Sequence, residues 1–131
     1  MIIKSFEIKK IDLNKNPLVL LYGRNEGLKN QTKIELLKNK TITSNYDEKE
    51  IIDNENNFID SIYSKSLFEN EKIVIINRAT DKILKILSDI NDKEIKDLII
   101  IIDADNLEKK SKLRSFFEKD KRCICVPFYP D

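Results

Sequence analysis

Three short runs of large aliphatic residues limit what this chain can fold into. Leu98-Ile99-Ile100-Ile101-Ile102, Ile73-Val74-Ile75-Ile76 and Leu18-Val19-Leu20-Leu21-Tyr22 are continuous rather than alternating. A strand that is apolar on both sides must be covered on both faces, which is the condition of a parallel sheet enclosed between helices. The intervening segments fit that requirement. Asn25 is placed to cap a helix reaching about Asn39, with Glu26 in its first turn and Leu28, Ile34 and Leu37 as its apolar positions. Ile42 to Tyr46 reads as a second strand, followed by helical segments from Asp47 to Ser64 in which Ile51 and Ile52 supply the first apolar contact. Thr80 or Asp81 caps the next helix, with Ile83, Leu84, Ile86, Leu87 and Ile90 as its buried stripe. After Asp97 and the strongest strand, Leu107 to Glu118 reads as a charged helix burying Leu113, Phe116 and Phe117, and Cys123 to Val126 as the last strand. The expected fold is α/β, a three-layer Rossmann-like or P-loop-like domain with a parallel five-stranded sheet and helices on both faces.

At 131 residues the chain is expected to form one domain over residues 1–126. Pro127-Phe128-Tyr129-Pro130-Asp131 reads as the start of a linker to domains absent from this chain. The net charge of +1 gives no global attraction to nucleic acid or membrane. Its longest apolar run is far below the ~20 residues that span a bilayer, and a cytoplasmic location is expected. Histidine is absent, which removes the usual general base, the Ser-His-Asp and Cys-His nucleophile systems and the commonest zinc ligand. Cys123 and Cys125 share one face of a strand-like segment and are expected to be buried free thiols. No metal and no cofactor is expected.

In a parallel α/β domain, phosphate binds at the turn after the first strand, through backbone amides and a helix N-terminus. Here that turn is Gly23-Arg24-Asn25-Glu26-Gly27-Leu28-Lys29. A working P-loop has four residues between its glycines and then Lys-Ser or Lys-Thr. This turn has three, its lysine is followed by Asn30, and Glu26 adds a carboxylate where phosphate would sit. Gly23, Arg24, Asn25, Glu26 and Gly27 are therefore expected to be a degenerate, non-functional phosphate loop. Asp103 and Asp105 stand where a P-loop enzyme keeps its Mg²⁺-binding acid; without a phosphate cradle they read as caps for the following helix. The basic run Lys109, Lys110, Lys112, Arg114, Lys119, Lys121 and Arg122 is interspersed with Glu108, Glu118 and Asp120 and reads as a solvated helix face, with contact to nucleic-acid phosphate or to an acidic protein as the other possibility.

Leu67 and Phe68 fit the pattern poorly. Phe58, Ile59, Ile62 and Tyr63 form one helical stripe, and at about 100° per residue Leu67 falls about 110° from its centre and Phe68 about 150°. The pair either folds back over the strand that begins at Lys72 or presents a contact surface.

The order of these elements resembles the N-terminal domain of the delta subunit of bacterial DNA polymerase III, the clamp-loader subunit. The residues that carry the resemblance are Leu20-Leu21-Tyr22-Gly23, Ser66-Leu67-Phe68 ahead of Glu71-Lys72-Ile73-Val74-Ile75-Ile76, the strand into Asp103-Ala104-Asp105, the segment Leu107 to Lys119, and the tail from Pro127. The resemblance implies an AAA+-like domain of a DNA replication complex, without ATP hydrolysis of its own, that binds the ring-shaped sliding clamp (the beta subunit) and helps to open it. Its clamp contact would be Leu67 and Phe68, with Ser66 and Glu69 as polar rim. Other loader subunits would be met through the absent domains, DNA only indirectly, and the isolated domain would be a monomer without membrane contact. The Gln that often precedes such a Leu-Phe pair is missing between Ile62 and Ser66. The rival class is an enzyme, a small P-loop nucleotide hydrolase or kinase using Gly23 to Lys29 with Asp103.

Overall fold

The computed structural model describes residues 1–64 and 71–129. Five strands form one parallel sheet in the order β2-β3-β4-β1-β5. They are β1 (Leu18–Gly23), β2 (Ser44–Asp47), β3 (Lys72–Asn77), β4 (Leu98–Ala104) and β5 (Cys123–Phe128). Helices α1 (Glu26–Leu36), α2 (Glu48–Asp53), α3 (Glu55–Tyr63), α4 (Leu84–Asp92) and α5 (Lys112–Lys119) connect them. The three-layer α/β architecture expected from the continuous apolar runs is the one observed.

Alternate residues of each strand feed separate cores. Leu98, Ile100, Ile102 and Ala104 of β4 face the side packed by Ile51 of α2, Phe58 and Ile62 of α3, Leu87 of α4 and Leu113 and Phe117 of α5. Ile99 and Ile101 face the side covered by α1 and by the chain's N-terminal segment, through Leu28, Leu36, Leu37, Ile3 and Leu13. Each fully buried isoleucine contributes about 1.5–3 kcal/mol relative to exposure, so a sheet apolar on both faces is stable only in this enclosed form. The free edge of β5 is occupied by the chain's first residues: Ile3 donates its amide to Cys125 and Cys125 donates to the Met1 carbonyl, both at 2.9 Å.

Several boundaries differ from the sequence reading. Strand β2 begins at Ser44, and Ile42 is 45% exposed ahead of it. Helix α1 stops at Leu36, and Ile34, expected in its buried stripe, is 74% exposed. The residues buried on α1 are instead Lys29 and Thr32. Ile34 lies about 140° from Lys29 around the helix, so only one of the two can face the sheet. Ile51 is buried as expected, whereas Ile52 is on the solvent side. Residues 107–111 precede α5 rather than opening it, and Phe116 is only partly buried. Pro127 and Phe128 continue β5, in register with Tyr22 and Gly23. Among the described residues, no helix is long and apolar enough to cross a membrane.

Candidate functional site

Two ends of the sheet carry the residues singled out by sequence. At the carboxyl end, the chain leaves β1 toward the far edge of the sheet, while β4 is followed by β5 on the opposite side of β1. Such a switch point is where ligands enter open α/β sheets. A cleft of about 610 Å³ opens there, lined among others by Glu26, Lys29, Lys33, Asp47, Arg78 and Asp103.

The turn after β1 is built for packing. Gly23 has φ +128°, and a Cβ at this position would meet the Phe128 carbonyl oxygen at 1.9 Å, so glycine is required by the close approach of β5. Gly27 has no such constraint, its nearest neighbour to an added Cβ being Asn25 Oδ1 at 3.9 Å. Asn25 caps α1 as expected, its Oδ1 accepting the Leu28 amide at 3.1 Å, and the Glu26 amide donates to the Arg24 carbonyl at 3.0 Å. Two amide donors that a phosphate would need are thereby engaged within the turn.

Lys29 is fully buried. Its ammonium contacts Asp103 Oδ1 at 2.8 Å, Glu26 Oε1 at 2.9 Å and the Ala104 carbonyl at 2.9 Å. A lysine has three N–H donors, and here each has an acceptor. Burial opposes the charge, but the hydrogen bonds to Asp103 and Glu26 outweigh it and hold the Lys29 pKa above the ordinary lysine value. The second carboxylate oxygen of Asp103 pairs with Lys33, one helical turn along. Asp103 and Asp105, expected from the sequence to cap the following helix, do not cap it. Asp103 binds Lys29 and Lys33, and Asp105 accepts the amide of its own neighbour Asn106 at 2.9 Å. The cap of α5 is Ser111, whose Oγ accepts the Arg114 amide at 3.2 Å. It is reinforced from across the sheet end by Asp81, which accepts from Ser111 Oγ at 2.6 Å, Leu113 N at 3.1 Å and Lys112 N at 3.2 Å.

The basic run divides in two. Arg114 lies over the Tyr22 ring at 5.1 Å and bonds Glu118 and the Leu107 carbonyl. Arg122 donates to the Asn91 carbonyl at 2.6 Å. These two arginines serve the fold, while Lys109, Lys110, Lys112, Lys119 and Lys121 remain exposed. Tyr22, beneath Arg114, has its pKa pushed up to about 12, burial being the main cause. Cys123 and Cys125 are free and buried as expected, and burial pushes both thiols up to about 12.

At the amino end of the sheet, α3 ends at Tyr63 and β3 begins at Lys72. Ser66, Leu67, Phe68 and Glu69 lie between them, outside the described residues. Of the stripe that precedes them, Phe58 and Ile62 are buried, Ile59 is partly buried, and Tyr63 is 40% exposed with the Lys93 ammonium 5.0 Å from its ring centre.

No protein-family model matches the sequence, and no curated protein matches it. Among solved structures, the Bacillus subtilis DNA clamp loader delta protein (YqeN) matches with a TM-score of 0.66. The two share a fold. The match covers 95% of this chain at 16% identity, and this chain spans 42% of the length of that protein. The likeness first read from Leu20 to Gly23, the strand into Asp103 and the order of elements is thus present in the fold. The pairing of Lys29 with Asp103 was missed because 74 residues separate them in sequence. Its one local signal is the placement of Lys29 and Lys33 four apart on the same helix face as Leu36.

Proposed function

We propose that this chain is the first domain of a clamp-loader delta-type subunit, which binds a ring-shaped sliding clamp through Leu67 and Phe68 and helps to open it. The observation that carries this reading is the fold likeness to a DNA clamp loader delta protein across 95% of the chain. Ser66 and Glu69 form the polar rim, and two apolar side chains entering a cleft contribute on the order of 1.5–3 kcal/mol each. Binding that favours the open ring shifts the ring's equilibrium without any chemical step. The saturated ammonium of Lys29 supports the lack of ATP hydrolysis, since Asp103, Glu26 and Ala104 occupy the donors that a terminal phosphate would require. In this reading the chain beyond β5 leads toward further domains that contact the other loader subunits, and DNA is met only through the assembly.

The test is calorimetric titration of the domain with a bacterial sliding clamp, comparing the native chain with a Leu67→Ala/Phe68→Ala variant of unchanged melting temperature. Binding that disappears in the variant supports the contact, and binding that persists moves it elsewhere. Thermal unfolding with and without Mg²⁺-ATP separates the rival class, because a ligand bound only by the native state raises its melting temperature. A binding module shows no rise, whereas a nucleotide hydrolase or kinase does.

A further inference from the structure

A second hollow, of about 500 Å³, opens at the carboxyl end of the sheet beside the cleft around Lys29, with only Thr80 lining both. One wall is 80–82, ahead of α4, and the other is 106–112, which leads into α5. The lining that faces solvent is mainly apolar. Leu107, partly buried against the core, and Lys82, Lys110 and Lys112 border it, and a lysine covers apolar surface with its stem while its ammonium stays in water. The charge there is unbalanced. Asp81 spends both carboxylate oxygens inside the protein, on Ser111 Oγ and the Leu113 and Lys112 amides, and Glu108 pairs with Lys110 at 3.4 Å. Among the described residues, Lys82 and Lys112 form no ion pair, and Lys109 adds a further exposed cation in the turn between Glu108 and Lys110. Helix α5 has no acidic residue in its first turn, so its own side chains do not offset the positive end of its dipole. The two walls are fixed before anything binds. The bonds of Asp81 join one to the other, and Arg114 donates to the Leu107 carbonyl at 2.9 Å.

We infer that this hollow docks a short acidic segment of another protein, with an apolar side chain entering against Leu107 and the flanking carboxylates meeting Lys82 and Lys112. Charge complementarity selects the acidic residues, the apolar lining selects the side chain between them, and walls already joined reduce the ordering cost of binding. A nucleic acid fits the same charges but not the lining. Its phosphate backbone brings no apolar group, and among the described residues no exposed aromatic ring borders the hollow to stack on a base. The inference makes no use of Leu67 and Phe68, which lie between α3 and β3 at the opposite end of the sheet.

The test titrates the chain with three hexapeptides, alternating leucine–aspartate, all-aspartate and alternating leucine–serine, and with a short DNA duplex, reading amide chemical shifts by NMR. The leucine–aspartate peptide is expected to bind about tenfold more tightly than either other peptide and to shift the amides of Lys82, Leu107 and Lys112. Lys82→Ala/Lys112→Ala is expected to weaken that binding about three- to tenfold, whereas Lys119→Ala/Lys121→Ala, at the far end of α5, leaves it unchanged. Lys82→Ala alone, outside α5, is the arm that decides if the double variant does not fold. Equal binding of the three peptides, native affinity in the deciding lysine variant, or shifts confined to other parts of the chain overturn the inference. Tighter binding of the duplex at the same amides also overturns it and makes the hollow a nucleic-acid surface. The proposed clamp contact stands or falls on its own titration.

Discussion

Replacing Lys29 by methionine keeps the buried stem and deletes the ammonium, which makes it the most direct probe of the carboxyl-end cluster. Three partners are affected unequally. The Ala104 carbonyl loses a hydrogen bond inside the protein, which costs about 1–3 kcal/mol. Asp103, whose side chain is 10% exposed, loses one of two cations but keeps Lys33. Only part of the ~3–5 kcal/mol associated with breaking a buried pair therefore applies. Glu26 is 67% exposed and returns to water at little cost, about 0–1 kcal/mol. The expected destabilisation is about 2–4 kcal/mol, a sizeable part of the ~5–15 kcal/mol that holds a domain together. Urea denaturation read by circular dichroism measures it as a fall in midpoint at constant slope. Lys33→Met, at a site 15% exposed with one carboxylate partner, is expected to cost about 1 kcal/mol. The triple variant Lys29→Met/Lys33→Met/Asp103→Leu is expected to be at least as stable as Lys29→Met alone, because apolar side chains can replace a buried ion cluster when no charged member is left unpaired. A Lys29→Met variant within about 0.5 kcal/mol of the native chain would refute the reasoning, since it would mean that the ammonium has no buried partners to lose.

The two glycines of the turn after β1 separate a packing role from a phosphate-binding one. Gly23→Ala is expected to unfold the domain or lower its melting temperature sharply, because Phe128 leaves no space, whereas Gly27→Ala on α1 is expected to stabilise it by about 0.4–1 kcal/mol; thermal melts check both. Asp81→Ala removes the acceptor that joins the turn ahead of α4 to α5 and is expected to cost about 1–2 kcal/mol in urea denaturation. The hydrogen bond from Ser111 holds the Asp81 pKa below its ordinary 3.8. Its stabilisation is therefore complete above that value and is lost as pH falls through the folded-state pKa, so the native and Asp81→Ala melting temperatures should converge under acid. Cys123 and Cys125 are expected to react with a thiol reagent at pH 8 only on the timescale of unfolding and rapidly in urea; fast reaction of the native chain would contradict their burial.

The sheet was legible because its signal is local. Ile73 to Ile76 and Leu98 to Ile102 carry apolar residues at consecutive positions, and a strand of that kind has no stable arrangement except under cover on both sides. The cap at Asn25, the buried stripe of Ile83, Ile86, Leu87 and Ile90 and the burial of Leu113 and Phe117 follow from spacings within a few residues. Where the sequence reading failed, two segments competed for one place. Ile34 belongs to solvent because Lys29 and Thr32 take the face of α1 that meets the sheet, and Asp103 is not a helix cap because two lysines of α1 reach it first. Pro127 and Phe128 extend β5 because β1 lies alongside with a glycine at the point of closest approach. The sequence alone thus determined the class of fold and the departure of the turn after β1 from the P-loop pattern. The tertiary structure decided what stands at that loop, because an ion pair between residues 29 and 103 exists only once β1 and β4 lie side by side.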